Sequence, residues 1–262
     1  ALIMRKQTKI AAVVSAAALL ALGASMTSFA ASKGTWMMVD GEWYCYDKNG
    51  DAYTNVFCSS NGKEYYVGDD GQLVRSEWVD YDGSYYFVNS SGAKITNDWR
   101  LTTPYDDDSA DEDEYWYYLK KATGKPATGK QSNINGQIYL FNEEGQMQVG
   151  WVARSDSKTK NFVQLDKEDE EQDMILLSDY ADSEVYYCGD EDDGHAKKNK
   201  WLKTWLPSDT EEEEDDKEWF WFDKEGKVFR ANISTAAETA ANAYKYKLDE
   251  GALVPDNDKR YD

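Results

Sequence analysis

Few residues in this chain have the types and spacing for bond-making chemistry. The single histidine, His195, stands beside Asp192, Asp193 and Gly194. That count excludes a His-based triad or a zinc site with several histidines, and the residue reads as a surface loop position. Carboxylates are abundant but run together, as in Asp106-Asp107-Asp108, Asp111 through Glu114, Asp166 through Asp173 and Glu211 through Asp216. Solvated runs lack the burial that separates two pKa values into an acid and a base. Clustered carboxylates suit hard cations, yet no run has the spaced ligands, glycine and closing glutamate of an EF-hand loop, so self-repelling surface loops are the simpler reading. Cys45 and Cys58 stand close enough in the array for a disulfide, which leaves Cys188 over; thiols filling aromatic positions are the alternative. No catalytic site, metal or cofactor is expected.

What recurs instead is an aromatic run followed by a polar turn closed by glycine. It appears as Trp43-Tyr44-Cys45-Tyr46 before Gly50, Tyr65-Tyr66 before Gly71, Tyr85-Tyr86-Phe87 before Gly92 and Trp116-Tyr117-Tyr118 before Gly124. Tyr139-Leu140-Phe141 before Gly145, Tyr186-Tyr187 before Gly194 and Trp219 through Phe222 before Gly226 continue it. Successive glycines are 21, 21, 32, 21, 49 and 32 residues apart. A period near twenty, lengthened in places by inserted sequence, means a repeat array. The acidic runs fall in the long steps, between a first-strand tryptophan (Trp99, Trp151, or Trp201 with Trp205) and the next aromatic run. They read as enlarged hairpin tips near 102–114, 155–183 and 207–217, which surface loops tolerate at little entropic cost.

Each short repeat reads as a β-hairpin. In Trp78 through Val88, two β-rich runs flank Asp82-Gly83, the strongest short-range hairpin signal. Strand alternation puts positions −7 and −5 from the closing glycine on one face and −6 and −4 on the other. The −6 and −4 set, such as Tyr44, Tyr46, Tyr86 and Phe222, is expected in the core; the −7 and first-strand rings are open to either packing or ligand. A hairpin this small must stack on its neighbours, so the expected fold is all-β, a solenoid of stacked β-hairpin repeats with a short C-terminal helix. That helix is expected from the capping box Thr235-Ala236-Ala237-Glu238 through about Leu248, in a cap or linker over 232–262.

Residues 1–30 read as a cleaved secretory signal: Arg5, Lys6 and Lys9 precede an apolar run from Ile10 to about Leu22, and Ser28-Phe29-Ala30 supplies small residues for cleavage. The run is shorter than the ~20 residues a bilayer core demands. The sequence carries 50 acidic and 29 basic residues, net −21; removing those three bases leaves 50 acids against 26 bases. Such a field repels nucleic acid and anionic lipid at low salt, leaving cations and neutral sugars as ligands.

The first strand, turn, Trp-Tyr-Tyr-Leu and Asn/Asp-x-x-Gly phrase resembles the choline-binding, or cell-wall-binding, repeats of Gram-positive surface proteins over about residues 34–231. Gly150-Trp151-Val152, Trp116 through Leu119 and Tyr139 through Met147 carry the likeness most closely. Related repeats of clostridial toxins and glucan-binding domains look similar and bind carbohydrate. The resemblance implies aromatic cages between consecutive repeats, each built from a first-strand tryptophan, the −7 ring of that repeat and the −5 ring of the next. A quaternary ammonium has no hydrogen-bond donor and is held by ring faces. Trp36, Trp43 and Tyr66 would form one cage, Trp78, Tyr85 and Tyr118 a second, and Trp99 with Trp116 part of a third, the register of Tyr118 and Trp116 taking one extra residue before Gly124. The implied role is non-catalytic attachment to cell-wall polymer, either choline-substituted teichoic acid or glycan, by a protein secreted to the cell wall or surface. A carbohydrate-binding module, or a structural adhesin or spacer without small ligand, is the alternative.

Overall fold

The computed structural model describes residues 34–106, 112–154, 161–165, 184–205, 213–228, 246–249 and 252–255. Residues 1–33, and with them the expected signal, lie outside this range. Two compact units divide the chain between Ala127 and Thr128.

The first unit holds four antiparallel hairpins. They are β1 (Thr35–Val39) with β2 (Glu42–Tyr46), β3 (Val56–Ser60) with β4 (Lys63–Val67), β5 (Glu77–Tyr81) with β6 (Ser84–Val88), and β7 (Asp98–Thr102) with β8 (Tyr115–Leu119). The second unit continues with β9 (Gly129–Ile134) and β10 (Gln137–Phe141), then β11 (Trp151–Arg154) with β13 (Glu184–Tyr187), then β14 (Lys200–Thr204) with β15 (Glu218–Phe222). Four tips are two-residue turns with both residues at positive φ, such as Asp40 at 51° with Gly41 at 88° and Asp82 at 52° with Gly83 at 70°. Mirror-image turns of this kind match the twist of paired strands, which is why Asp-Gly and Asn-Gly recur there.

One position in each first strand is occupied by Trp36, Phe57, Trp78, Trp99, Lys130, Trp151 and Trp201 in turn. Directly opposite stand Cys45, Tyr66, Phe87, Tyr118, Leu140, Tyr187 and Trp221. Residues directly opposite in an antiparallel pair project to the same side. Each hairpin therefore has a front face bearing this pair and a back face bearing the next ring along: Tyr44, Tyr65, Tyr86, Tyr117, Tyr139, Tyr186 and Phe220.

Within each unit the front of one hairpin packs on the back of the next. Trp36 and Trp43 share a buried cluster with Tyr65; Phe57 and Tyr66 share one with Val79, Val88 and Tyr86; Phe87 and Trp78 share one with Leu119. In the second unit, Ile138 and Leu140 meet Val152, Tyr186 and Cys188, and Trp151 and Val185 meet Phe220 and Phe222. The same backbone hydrogen bond ties four of these five junctions; at the third the equivalent residue is Pro126, which has no N–H to give. The residue two past the closing glycine donates its N–H to the preceding hairpin, from Leu73 to Trp43 (2.9 Å), Lys94 to Glu64 (2.8 Å), Ala196 to Ile138 (2.8 Å) and Val228 to Val185 (2.8 Å). At the −4 back-face position Val67, Val88, Phe141 and Phe222 have no exposed surface, whereas Tyr46 of the first hairpin is half-buried. The solenoid of stacked hairpins expected from the sequence is the fold of each unit.

Two features differ from expectation, and one chooses between alternatives left open above. Tyr246–Asp249 (β16) pairs antiparallel with Ala252–Pro255 (β17), where the last turn of a helix was expected. The alternation of Tyr244-Lys245-Tyr246-Lys247-Leu248 before Glu250-Gly251 is a strand-and-turn pattern; residues 229–245, with the capping box and most of the expected helix, lie outside the described range. Of the two states open to Cys45 and Cys58, the free thiols are found: both are buried across the first junction, and a mutual hydrogen bond, reinforced by burial, raises the pKa of Cys58. Finally, the second insertion is more than a solvated tip. Its segment 161–165 includes β12 (Val163–Gln164), which pairs with the free edge of β11, and it buries Phe162 and Leu165 in the neighbouring clusters.

Candidate ligand-binding site

The candidate site is built at the junctions, where a front-face ring of one hairpin meets a back-face ring of the next. At the first junction Trp36 is half-buried and stands edge-on to Tyr65, centroids 5.9 Å apart. Trp43 is 4% exposed in the same cluster. The Trp36 indole N–H is buried and has no hydrogen-bond partner. Such a donor carries a desolvation penalty that an incoming acceptor would relieve. Tyr66, expected to complete this cage, belongs to the next junction, 5.1 Å from Phe57 and 6.4 Å from Tyr81.

At the third junction Trp78 contacts Tyr117 (5.0 Å), Phe87 (5.2 Å) and Tyr105 (5.3 Å), all edge-on. Tyr85 stacks on Tyr105 at 4.4 Å, and the Trp78 indole donates to the Thr103 carbonyl at 2.9 Å. Tyr105 and Thr103 lie at the root of the first acidic insertion, and neither was expected at a site. Their signal was legible only as an aromatic inside a charged loop. Tyr118, expected in this cage, instead faces Trp99 across its own hairpin at 5.1 Å and donates to Asn97 Oδ1 at 2.7 Å. Trp99 and Trp116 are brought together, 6.4 Å apart and both half-buried, so Trp99, Trp116 and Tyr118 form one three-ring cluster on the fourth hairpin.

At the first junction of the second unit an ion network stands where two rings meet elsewhere. Lys130, at the front-face position, lies 4.8 Å over the Tyr186 ring and donates to its hydroxyl at 3.2 Å. Tyr186 donates to Glu184 at 2.8 Å, and Glu184 also pairs with Arg154 (2.5 Å) and Lys227 (3.5 Å). Burial pushes Lys130 below the usual lysine range, and pushes Tyr186 up, helped by the bond to Glu184. Burial alone would raise Glu184, but the Tyr186 hydrogen bond and the Lys227 and Arg154 charges outweigh it, leaving the carboxyl below its ordinary value. A depressed carboxyl contributes stability that is complete above the unfolded pKa of about 4.3 and is lost as pH falls through the folded value. Glu184→Gln is therefore expected to cost about 1–3 kcal/mol at pH 7. The gap to the parent should narrow in urea unfolding at pH 3.5.

His195 is half-buried rather than fully solvated. Its Nδ1 contacts Asp193, its ring stands 6.4 Å edge-on to Tyr139, and burial lowers its pKa. Among the described residues no group of three His, Cys, Asp or Glu is placed to hold a metal, and no helix is long and apolar enough to cross a membrane. The acidic run at 166–173 lies outside the described residues.

Stacked front-to-back hairpins with aromatic junctions place the chain among the hairpin-solenoid repeat proteins. No protein-family model matches it. CbpJ from Streptococcus pneumoniae TIGR4 shares its fold, with a TM-score of 0.51 and 17% identity over 85% of this chain and 58% of that one. The choline-binding domain of CbpL from the same species aligns with a TM-score of 0.47 and 19% identity over 88% of this chain and 93% of its own. In sequence, 111 residues are 35% identical to Glucosyltransferase-S of Streptococcus mutans serotype c; they make up 42% of this chain and 7% of that enzyme.

Proposed function

We propose that this is an exported, non-catalytic attachment module whose aromatic junctions bind cell-wall polymer through choline head groups. The observation that carries the reading is the first junction, where the half-buried Trp36 meets Trp43 and Tyr65 and its indole N–H lacks a partner. Ring faces attract a quaternary ammonium, and choline's hydroxyl oxygen offers that N–H an acceptor. Trp99, Trp116 and Tyr118 form a second candidate surface; Tyr66, Trp78 and Tyr85 serve the packing of their junctions first. The excess of acids suits a cationic ligand and, with the N-terminal signal pattern, supports a place at the cell surface.

A glycan is the second reading, favoured by the match to a glucosyltransferase and by half-exposed rings on which sugars stack. Tryptophan fluorescence titrations with choline, ethanolamine, glucan oligosaccharides and isolated wall polymer separate the two. The expected result is a response to choline and not to ethanolamine, weakened at least tenfold in Trp36→Ala. A response to glucan with indifference to choline establishes the second reading, and indifference to all four ligands overturns both.

A further inference from the structure

Of the five junctions lying within one unit or the other, four already hold a group of the protein's own where an outside ligand would sit. At the second junction, the Lys94 ammonium lies 5.2 Å from the Phe57 centroid and 5.3 Å from that of Tyr86, and is ion-paired with Glu64. The Glu64 and Lys94 positions correspond, by the repeated backbone hydrogen bond, to Trp43 and Leu73 of the first junction. A charge pair has thus replaced an apolar pair, and its cation stands between two rings as a free alkylammonium would. At the third junction, the Tyr105 ring stacks on Tyr85 and meets Trp78, while Thr103 accepts the indole proton.

The second unit repeats both devices. Lys130 places its ammonium on Tyr186. The Trp151 indole donates at 2.6 Å to the carbonyl of Trp205. Thr103 and Trp205 are each the first residue past the opening strand of an enlarged hairpin, so the two insertions supply the same acceptor from the same position. The first junction, followed by the short tip Asn61-Gly62, has no such acceptor, and there the indole N–H is unpartnered.

We propose that these groups are tethered occupants that decide which junctions can take an outside ligand: Lys94 closes the second junction to cations, and the Thr103–Tyr105 arm of the acidic insertion closes the third. The inference rests on the junctions being the ligand sites. Removing the tether exposes the rings, and at the second junction also the Glu64 carboxylate, to a free cation.

Calorimetric titration of the full chain with tetramethylammonium tests this on the parent, Lys94→Met and Tyr105→Ala. Each substitution is expected to add one binding site. At a ligand concentration a few-fold above Kd, the Tm of Lys94→Met should rise by about 2–4 °C more than that of the parent. Tyr105 belongs to a surface insertion, so its variant decides the matter should Lys94→Met fail to fold. Unchanged stoichiometry in the folded variants overturns the proposal. A parent that binds nothing while the variants each bind one equivalent overturns the first-junction reading and leaves the tethered occupants standing.

Discussion

Phe222→Ala is expected to lower stability by about 3–5 kcal/mol, among the largest losses available to a single substitution in this chain. The ring has no exposed surface, lies 5.9 Å from Trp151 and 6.5 Å from Tyr187, and shares a buried cluster with Val185, Phe220 and Val228. Its backbone also bridges Val228, within the turn that carries the bond to Val185. Interdigitated neighbours held by strand hydrogen bonds cannot collapse into the space an alanine leaves. Phe222→Leu, which keeps most of the volume, should cost less than about 1.5 kcal/mol. Urea midpoints of the two variants, with m unchanged, check the contrast; a Phe222→Ala loss no larger than that of Phe222→Leu would show that the junction relaxes.

The second large effect is expected at Gly92. This residue sits at φ 85°, and a Cβ built there would stand 2.7 Å from Leu73 Cδ1, 2.9 Å from Cγ and 3.0 Å from Cδ2. Leu73 is 5% exposed and packed against Trp43 and Tyr65, so it has nowhere to retreat. Gly83 offers a matched control, at φ 70° with nothing within 4 Å of its Cβ position. Gly83→Ala should cost about 1 kcal/mol from backbone strain alone. Gly92→Ala should cost about 2–4 kcal/mol because overpacking adds to the strain. Equal losses at the two positions would show that the closing glycine is required for its backbone conformation only. Thermal melts of the pair read the difference directly.

Most of the architecture was legible because it rests on local rules. Asp40-Gly41 and Asp82-Gly83 mark the tips, and of the rings that alternation placed in the core Phe222 is buried, while Tyr44, Tyr46 and Tyr86 are half-buried. The partner of each tryptophan was not legible in the same way. Pairing Trp36 with Tyr66 sets front face against front face. Hairpins that follow one another in a stack meet front to back, which brings Tyr65 to Trp36 and Tyr117 to Trp78. Period-two alternation says which residues share a face but not which face meets the neighbour. Tyr105 and Phe162 were hidden for a different reason: a loop read by its charge gives no cue that one ring within it returns to the core. The Lys94 ammonium was equally invisible, since its significance depends on Phe57 and Tyr86 approaching from different hairpins.

Front-to-back stacking also bears on how such a chain can change length. A contact between unlike faces leaves the complementary face free on each partner, so every added hairpin presents the same kind of surface that received it. Duplicating or deleting one whole unit of sequence therefore requires no new kind of contact. Growth by copying keeps every old interface in phase, while each new copy is free to exchange a ligand-facing ring for an internal cation.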